Sequence, residues 1–259
     1  MRRTENVERK QRAEKKRTIT AAILIFVGIP LVIATEVYLF GNRHYMAMSM
    51  VVVLLTMIPF FLVFEKRRPK ARELVLLAMM CALTVCIHMV CTLTVPIKAG
   101  SALVIIAGVS LGPEAGFLVG ALSRFMLNFY QGQGPWTPWE MFCWGILGFF
   151  AGLLFQKTYA GGKDETKKIP VTHLTLTVFT FLSVFIIYGG IMNLAAMMMG
   201  MEFMETKEVT FEALKPFYIS GIPYDAMHAT TAAVFMFLFG DKIIRKLERI
   251  KIKYGIYRA

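Results

Sequence analysis

A few polar side chains lie inside long apolar segments of this chain, and their types and spacing suit chemistry. Asp225 and His228 are three residues apart, which places a carboxylate and an imidazole on one face of a helix. Pro223 precedes them and frees nearby backbone groups, a feature of broken helices that line cavities in membrane proteins. Arg124 and Asn128 are four residues apart and also share a face. Because polar groups are costly in lipid, both pairs favour a cavity or a protein partner over contact with the bilayer.

Each of these residues also has a structural interpretation. Arg124 fits either a structural ion pair with a neighbouring helix or a charge that lines a pocket. A Trp or Tyr near the end of an apolar segment is typical of the aromatic belt at headgroup level. We nevertheless expect a pocket at the outer helix ends, and its candidate residues are Asn128, Gln133, Trp136, Trp139, Tyr188, Asn193, Tyr224, Asp225 and His228.

The elements that must position these side chains are apolar helices. The 259 residues are 56% hydrophobic and only 18% charged, with a mean hydropathy of +0.57. A soluble domain carries about 25% charged residues. The apolar residues also come in runs long enough to cross a bilayer, for which about 20 are needed. The composition therefore predicts an all-α, polytopic membrane protein.

The basic residues give the topology. Most of the 29 Lys and Arg lie in residues 1–17, 66–72, 157–168 and 242–258, beside the apolar runs. This clustering is the positive-inside signal and predicts that all four segments are cytoplasmic. About eight spans with both termini inside satisfy it: 18–40, 45–64, 72–91, a span from near Thr94 to 111, 115–130, 140–156, 171–199 and 217–240.

These spans divide the chain into four segments. We expect a basic cytoplasmic segment at 1–17, a two-helix leader at 18–65, a six-helix unit at 71–245 and a basic cytoplasmic tail at 246–259. The stretch from Gln131 to Trp139 carries two Pro, two Gly and two Trp, so we expect an outer hairpin loop there. An acidic outer loop follows the seventh span.

No motif for catalysis or nucleotide binding is present in the sequence. It has no Gly-rich phosphate loop, no HExxH and no GxSxG elbow. The four Cys lie in apolar segments without the spacing of metal ligands, so we interpret them as packing residues. We therefore expect no enzymatic activity, no cofactor and no metal site. Without a nucleotide site, the chain by itself cannot use ATP to power transport.

Several motifs together resemble the substrate-binding S component of energy-coupling factor (ECF) transporters, over roughly residues 71–245. They are the Ala78/Ala82 pair, the run SALVIIAGVSLGPEAGFLVG from Ser101, the Gly134–Trp139 loop and the segment from Ile222 to His228. The resemblance implies a six-helix fold that captures a vitamin or related micronutrient at its outer face. The two-helix leader departs from the minimal family pattern.

The resemblance also implies partners and a location. Its AxxxA element, here Ala78 and Ala82, meets a transmembrane T (coupling) subunit, and two ABC ATPases supply energy for toppling of the S component. The protein would be a multi-pass protein of a bacterial or archaeal cytoplasmic membrane. The Trp-rich loop looks like a subgroup associated with cobalamin or a related corrinoid, which is the favoured substrate here. Riboflavin, thiamine, a queuosine precursor or another small solute remain open.

Three other functions fit the sequence less well. An ion-coupled secondary transporter would use Arg124, Asp225 and His228 as a relay. An integral membrane enzyme would use Asp225 and His228 as acid and base. A membrane scaffold would bind no small molecule at all.

Overall fold

The computed structural model describes residues 50, 53–54, 57–61, 63–64, 69–94, 98–160, 169–200 and 210–256. The predicted basic segment 1–17, the first leader span 18–40, residues 161–168 of the cytoplasmic linker and most of the acidic loop lie outside these residues. The described residues of the second leader span are helical.

The described chain from residue 71 onward is built from helices, without a strand among the residues described. The helices are α1 (Ala71–Thr94), α2 (Gly100–Leu111), α3 (Pro113–Gln131), α4 (Thr137–Ala160), α5 (Ile169–Leu182), α6 (Gly189–Gly200), α7 (Phe211–Phe235) and α8 (Asp241–Tyr254). A π-helical turn at Ser183–Tyr188 joins α5 to α6, and another at Met236–Gly240 joins α7 to α8. The result is six continuous rods.

Four of the rods are long and apolar enough to cross a bilayer, namely Ala71–Leu93, Thr137–Tyr159, His173–Gly200 and Phe211–Tyr254. The predicted all-α membrane class is confirmed. The total of eight spans stays a prediction, because the first leader span is outside the described residues.

The predicted start of α2 was wrong, and α2 is a short buried helix rather than a full membrane span. Thr94 belongs to α1, and α2 begins only at Gly100. Its 12 residues are all buried, and at 1.5 Å per residue it is about 18 Å long, shorter than the ~30 Å hydrocarbon core. The surrounding helices shield α2 from lipid, so its length need not match the bilayer.

Glycines allow α2, α3 and α4 to pack closely. A Cβ added at Gly116 on α3 would lie 2.6 Å from the carbonyl oxygen of Gly148 on α4, and one at Gly108 on α2 would also overlap Gly148. Small residues at such crossings let helix backbones approach each other. Gly112 alone connects α2 to α3, with a φ of 103° that favours glycine, and Pro113 then occupies the first helical position.

The second leader helix packs against α3 and α4. The ring of Phe60 stacks on Phe117 with centroids 3.8 Å apart and meets Phe149 edge-on at 5.3 Å. Phe60 is completely buried. This helix is therefore part of the packed bundle.

One end of the bundle is held together by basic residues. Arg72 at the start of α1 donates to the carbonyl of Tyr254 at 2.9 Å, and Lys251 on α8 donates to the carbonyl of Ser110 at 2.5 Å. The last helix thus continues into the predicted tail, and two of its residues, Ile244 and Leu247, are buried against the bundle. This basic end is the one expected to face the cytoplasm under the positive-inside rule. The candidate site residues lie toward the opposite end, which is called the outer end below.

Candidate functional site

A buried ion pair joins the middle of α3 to the start of α4 at the outer end. Arg124 Nη2 donates to Glu140 Oε1 in a very short contact, and Asn128 Nδ2 donates to Glu140 Oε2 at 2.8 Å. The side chains of Arg124 and Glu140 are about one tenth exposed, and Asn128 is completely buried. Arg124 is thus paired with a neighbouring helix, as its structural interpretation predicts. The same carboxylate orients two of the candidate side chains.

The loop between α3 and α4 is tied to this group. Arg124 Nη1 donates to Gln131 at 2.7 Å, Asn128 donates to Thr137 at 3.0 Å, and the Thr137 hydroxyl donates to Gln133 Oε1 at 3.0 Å. These side-chain bonds hold the loop in place where the Gly-Pro sequence interrupts the helix. The loop is therefore a positioned part of the site.

The two tryptophans of this stretch have different environments. Trp136 is 39% exposed at the loop tip and lies against Gly134. Trp139 is buried, because α4 begins at Thr137 and places it in the first turn. It belongs to an apolar cluster with Phe142 and Met198 rather than to the polar group. The observed loop is therefore shorter than the predicted stretch from Gln131 to Trp139, because Pro138 is tolerated in a first helical turn.

A second polar group surrounds His228 on α7. His228 Nε2 is 2.9 Å from the Ser101 hydroxyl, and its ring meets the buried Tyr188 edge-on at 4.6 Å. Tyr224 lies one turn away with its ring 6.2 Å from His228, and it is 46% exposed. The Lys98 ammonium lies 5.6 Å from the Tyr224 ring.

Asp225 has a helix neighbour as its partner. Asn193 Nδ2 donates to Asp225 Oδ2 at 2.8 Å, linking α6 to α7. Each of these side chains lies against a glycine of the opposite rod, Asp225 against Gly189 and Asn193 against Gly221. The two candidate residues are therefore brought together, in an interhelical pair that depends on close backbone approach.

The two polar groups are connected around the N-terminus of α2. The Arg124 guanidinium lies 5.5 Å from the Trp144 ring, and Trp144 meets His88 edge-on at 5.2 Å. His88 Nδ1 accepts from the Gly100 N–H at 3.2 Å, next to the Ser101 that bonds His228. A continuous set of contacts thus runs from Glu140 to His228 through the interior of the bundle.

Several buried polar atoms of this region have no partner among the described residues. They are Arg124 Nε, Asn128 Oδ1, His88 Nε2, Trp144 Nε1 and His228 Nδ1. Most buried polar atoms in folded proteins are hydrogen-bonded, so a group of unsatisfied ones needs an explanation. A bound polar ligand would supply the missing partners.

Sequence reasoning missed several residues of this region: His88, Lys98, Ser101, Glu140 and Trp144. For Glu140 a signal existed, because a lone carboxylate opens an apolar helix only 16 residues after Arg124. The others need knowledge of how α1, α2 and α4 cross. Among the described residues, no three His, Cys, Asp or Glu side chains are placed to hold a metal ion.

The small-residue pair of α1 lies on an exposed apolar surface, unlike the buried polar groups described above. Ala78 and Ala82 are exposed, one turn apart, on a face that also exposes Met79 and Leu83. This face has no covering helix among the described residues.

Residues 68–246 match the family described as "ECF-type riboflavin transporter, S component". The chain belongs to this family. The match covers the first five rods and most of the sixth, close to the range 71–245 of the resemblance. Its description names riboflavin, so the expectation of a corrinoid has no support from it. No solved structure matches the chain.

Membership of the family fixes the general role. S components are the membrane subunits that bind a small-molecule vitamin for an ECF transporter and work with T and ATPase subunits; they are not enzymes. The helical fold with apolar rods agrees with a multi-pass membrane protein.

Proposed function

We propose that this S component captures riboflavin, or a closely related flavin, at the outer end of the bundle. A T subunit and two ABC ATPases in a bacterial or archaeal cytoplasmic membrane then drive its delivery by toppling. The riboflavin assignment is supported by the description of the matching family. The proposed binding residues are Asn128, Gln133, Trp136, Tyr188, Asn193, Tyr224, Asp225 and His228, with Arg124 and Glu140 behind them.

The observation that carries the proposal is the group of unsatisfied buried polar atoms among aromatic rings around the N-terminus of α2. Small-molecule sites are mostly apolar, with a few placed polar groups that fix orientation. A flavin has a flat tricyclic ring with one apolar edge and one edge of hydrogen-bonding groups, and it carries a chain of hydroxyls. Tyr188 and Trp144 suit its ring, and the unpaired nitrogen and oxygen atoms suit its polar edge.

The proposed entrance to the ligand site is lined by exposed side chains. Gln133, Trp136 and Tyr224 are exposed at the outer end, above the buried group. Tyr224 and Trp136 offer flat apolar faces with a polar edge, the combination that binds aromatic ligands at a wet surface. We assign these three residues to the entrance, and Asn128, Tyr188 and His228 to the interior.

A thermal-shift panel with the detergent-purified full chain tests the substrate. Riboflavin, thiamine, cyanocobalamin and a queuosine precursor are each added at increasing concentration. A ligand at 100 times its Kd adds about 2.7 kcal/mol of stability, so riboflavin is expected to raise the melting temperature in a saturable manner. Stabilisation by cyanocobalamin and not by riboflavin would return the assignment to a corrinoid.

A further inference from the structure

We propose that Asn128 Oδ1 and Arg124 Nε read the imide edge of the flavin ring, and that Glu140 is the positioning residue that aims them. This inference rests on the proposed function and adds which atoms decide specificity. The imide edge consists of one N–H donor flanked by two carbonyl acceptors. It needs a protein acceptor beside a protein donor.

The orientation of the Asn128 amide follows from its neighbours. A carboxylate can only accept hydrogen bonds, so the atom of Asn128 that lies 2.8 Å from Glu140 Oε2 must be the amide nitrogen. The same nitrogen reaches the Thr137 hydroxyl oxygen at 3.0 Å. The amide oxygen therefore points away from both, and it has no partner among the described residues although Asn128 is fully buried. A buried acceptor is thus held ready for a donor.

The orientation of Arg124 follows in the same way. One terminal nitrogen is bonded to Glu140 Oε1 and the other to Gln131 at 2.7 Å. The guanidinium plane is thereby fixed at two points, and Nε is the one of its three nitrogens that has no partner within the described part of the chain. Arg cannot lose its proton in a protein, so this site is a donor at every physiological pH.

We assign these two atoms to the same ligand edge because their side chains share the Glu140 carboxylate. Arg124 and Asn128 are one turn apart on α3, where side chains four residues apart are neighbours. The carboxylate that bonds both of them fixes their relative placement. An acceptor next to a permanent donor matches an N–H next to a carbonyl. It does not match an edge that carries acceptors alone.

The first test compares riboflavin with 3-methylriboflavin, in which a methyl group replaces the imide hydrogen. Leaving a buried acceptor unpaired lowers affinity roughly 10- to 100-fold. The full-length wild-type protein is therefore expected to bind the methylated compound at least tenfold more weakly. If riboflavin binds and the two ligands have equal Kd, the imide assignment is wrong while the proposed function stands. If riboflavin itself does not bind, the proposed function fails.

The second test assigns the atoms by substitution. Glu140→Gln places an amide N–H opposite Asn128, which must then turn its oxygen toward α4 and its nitrogen toward the ligand. This variant is expected to bind riboflavin more weakly and to lose most of the discrimination against 3-methylriboflavin. Asn128→Leu, which has nearly the same volume, should also lose the discrimination.

Thr84→Val is the matched control, since Thr84 is buried and its hydroxyl makes no hydrogen bond to Arg124, Asn128, Glu140 or any other described residue. It should keep both affinities and their ratio. A ratio that stays at the wild-type value in folded Glu140→Gln and Asn128→Leu proteins would overturn the assignment. Because the readout is a ratio of two ligands, a general loss of stability does not imitate the expected result.

Discussion

Arg124 and Glu140 form a buried ion pair across the α3–α4 hairpin, and Asn128 shares the same carboxylate. Desolvating two charges offsets much of their attraction, so such a pair adds little net stability compared with apolar residues of the same size. Removing one partner, in contrast, leaves an isolated buried charge. The pair is better understood as a device that sets the position of neighbouring donors and acceptors.

Breaking this ion pair should destabilise the protein strongly. Glu140→Ala leaves the Arg124 guanidinium buried without its carboxylate, and the expected loss is about 3–5 kcal/mol of unfolding free energy. Thermal or denaturant unfolding in detergent measures it. The double variant Arg124→Met/Glu140→Leu should recover most of the loss. Equal stability of Glu140→Ala and wild type would contradict the buried pair.

Two adjacent glycines give a matched test of the Asn193–Asp225 contact. A Cβ at Gly189 would lie 2.7 Å from the Asp225 carboxylate, whereas one at Gly190 would enter open space. Gly189→Ala should therefore lower stability by about 1–3 kcal/mol through overpacking. Gly190→Ala should be neutral, or stabilising by up to about 1 kcal/mol, because Ala favours a helix. Equal melting temperatures of the two variants would argue against the close approach of α6 and α7.

The leader helix should contribute to stability through Phe60. Phe60→Ala removes a ring stacked on Phe117 and is expected to cost about 3–5 kcal/mol. Ile58 on the same helix is 47% exposed, so Ile58→Ala serves as the control and should change stability by much less. Unfolding measurements on the full chain distinguish the two. Equal losses of unfolding free energy in the two variants would mean that the leader does not pack as described.

The exposed face of α1 is the proposed docking site for the T subunit. Bulky side chains in Ala78→Trp/Ala82→Trp should block close helix approach and so abolish uptake and copurification of the T subunit. Ligand binding should be unchanged, because both residues lie on the exposed surface of α1 and not among the buried residues of the site. Val234→Trp, at another exposed position, is the control and should keep uptake. Retained uptake in the double variant would exclude this face.

Much of the architecture was predictable because lipid imposes a length and a composition on each span. The expected spans 72–91 and 140–156 lie inside α1 and α4, since both helices satisfy the bilayer rule. The rule failed for α2, which is covered by protein and therefore free to be short.

The candidate site was predictable only in part. Asp225, Asn193 and His228 stood out as polar residues in apolar segments, but local spacing carries no information on which helices cross. The Asn193–Asp225 bond joins residues 32 positions apart, and the Ser101–His228 contact joins residues 127 apart. The neighbouring Pro138 made Trp139 look like a loop residue. Trp139 instead lies in the first turn of α4, and its side chain packs in the apolar cluster.

Equilibrium titration of riboflavin fluorescence with the detergent-purified protein tests the central proposal most directly. Stacking on aromatic side chains quenches flavin emission, so we predict saturable quenching with one riboflavin bound per chain. Asn128→Leu should weaken the binding, whereas Thr84→Val should not. Unquenched riboflavin at every concentration of folded protein would contradict capture of a flavin by this S component.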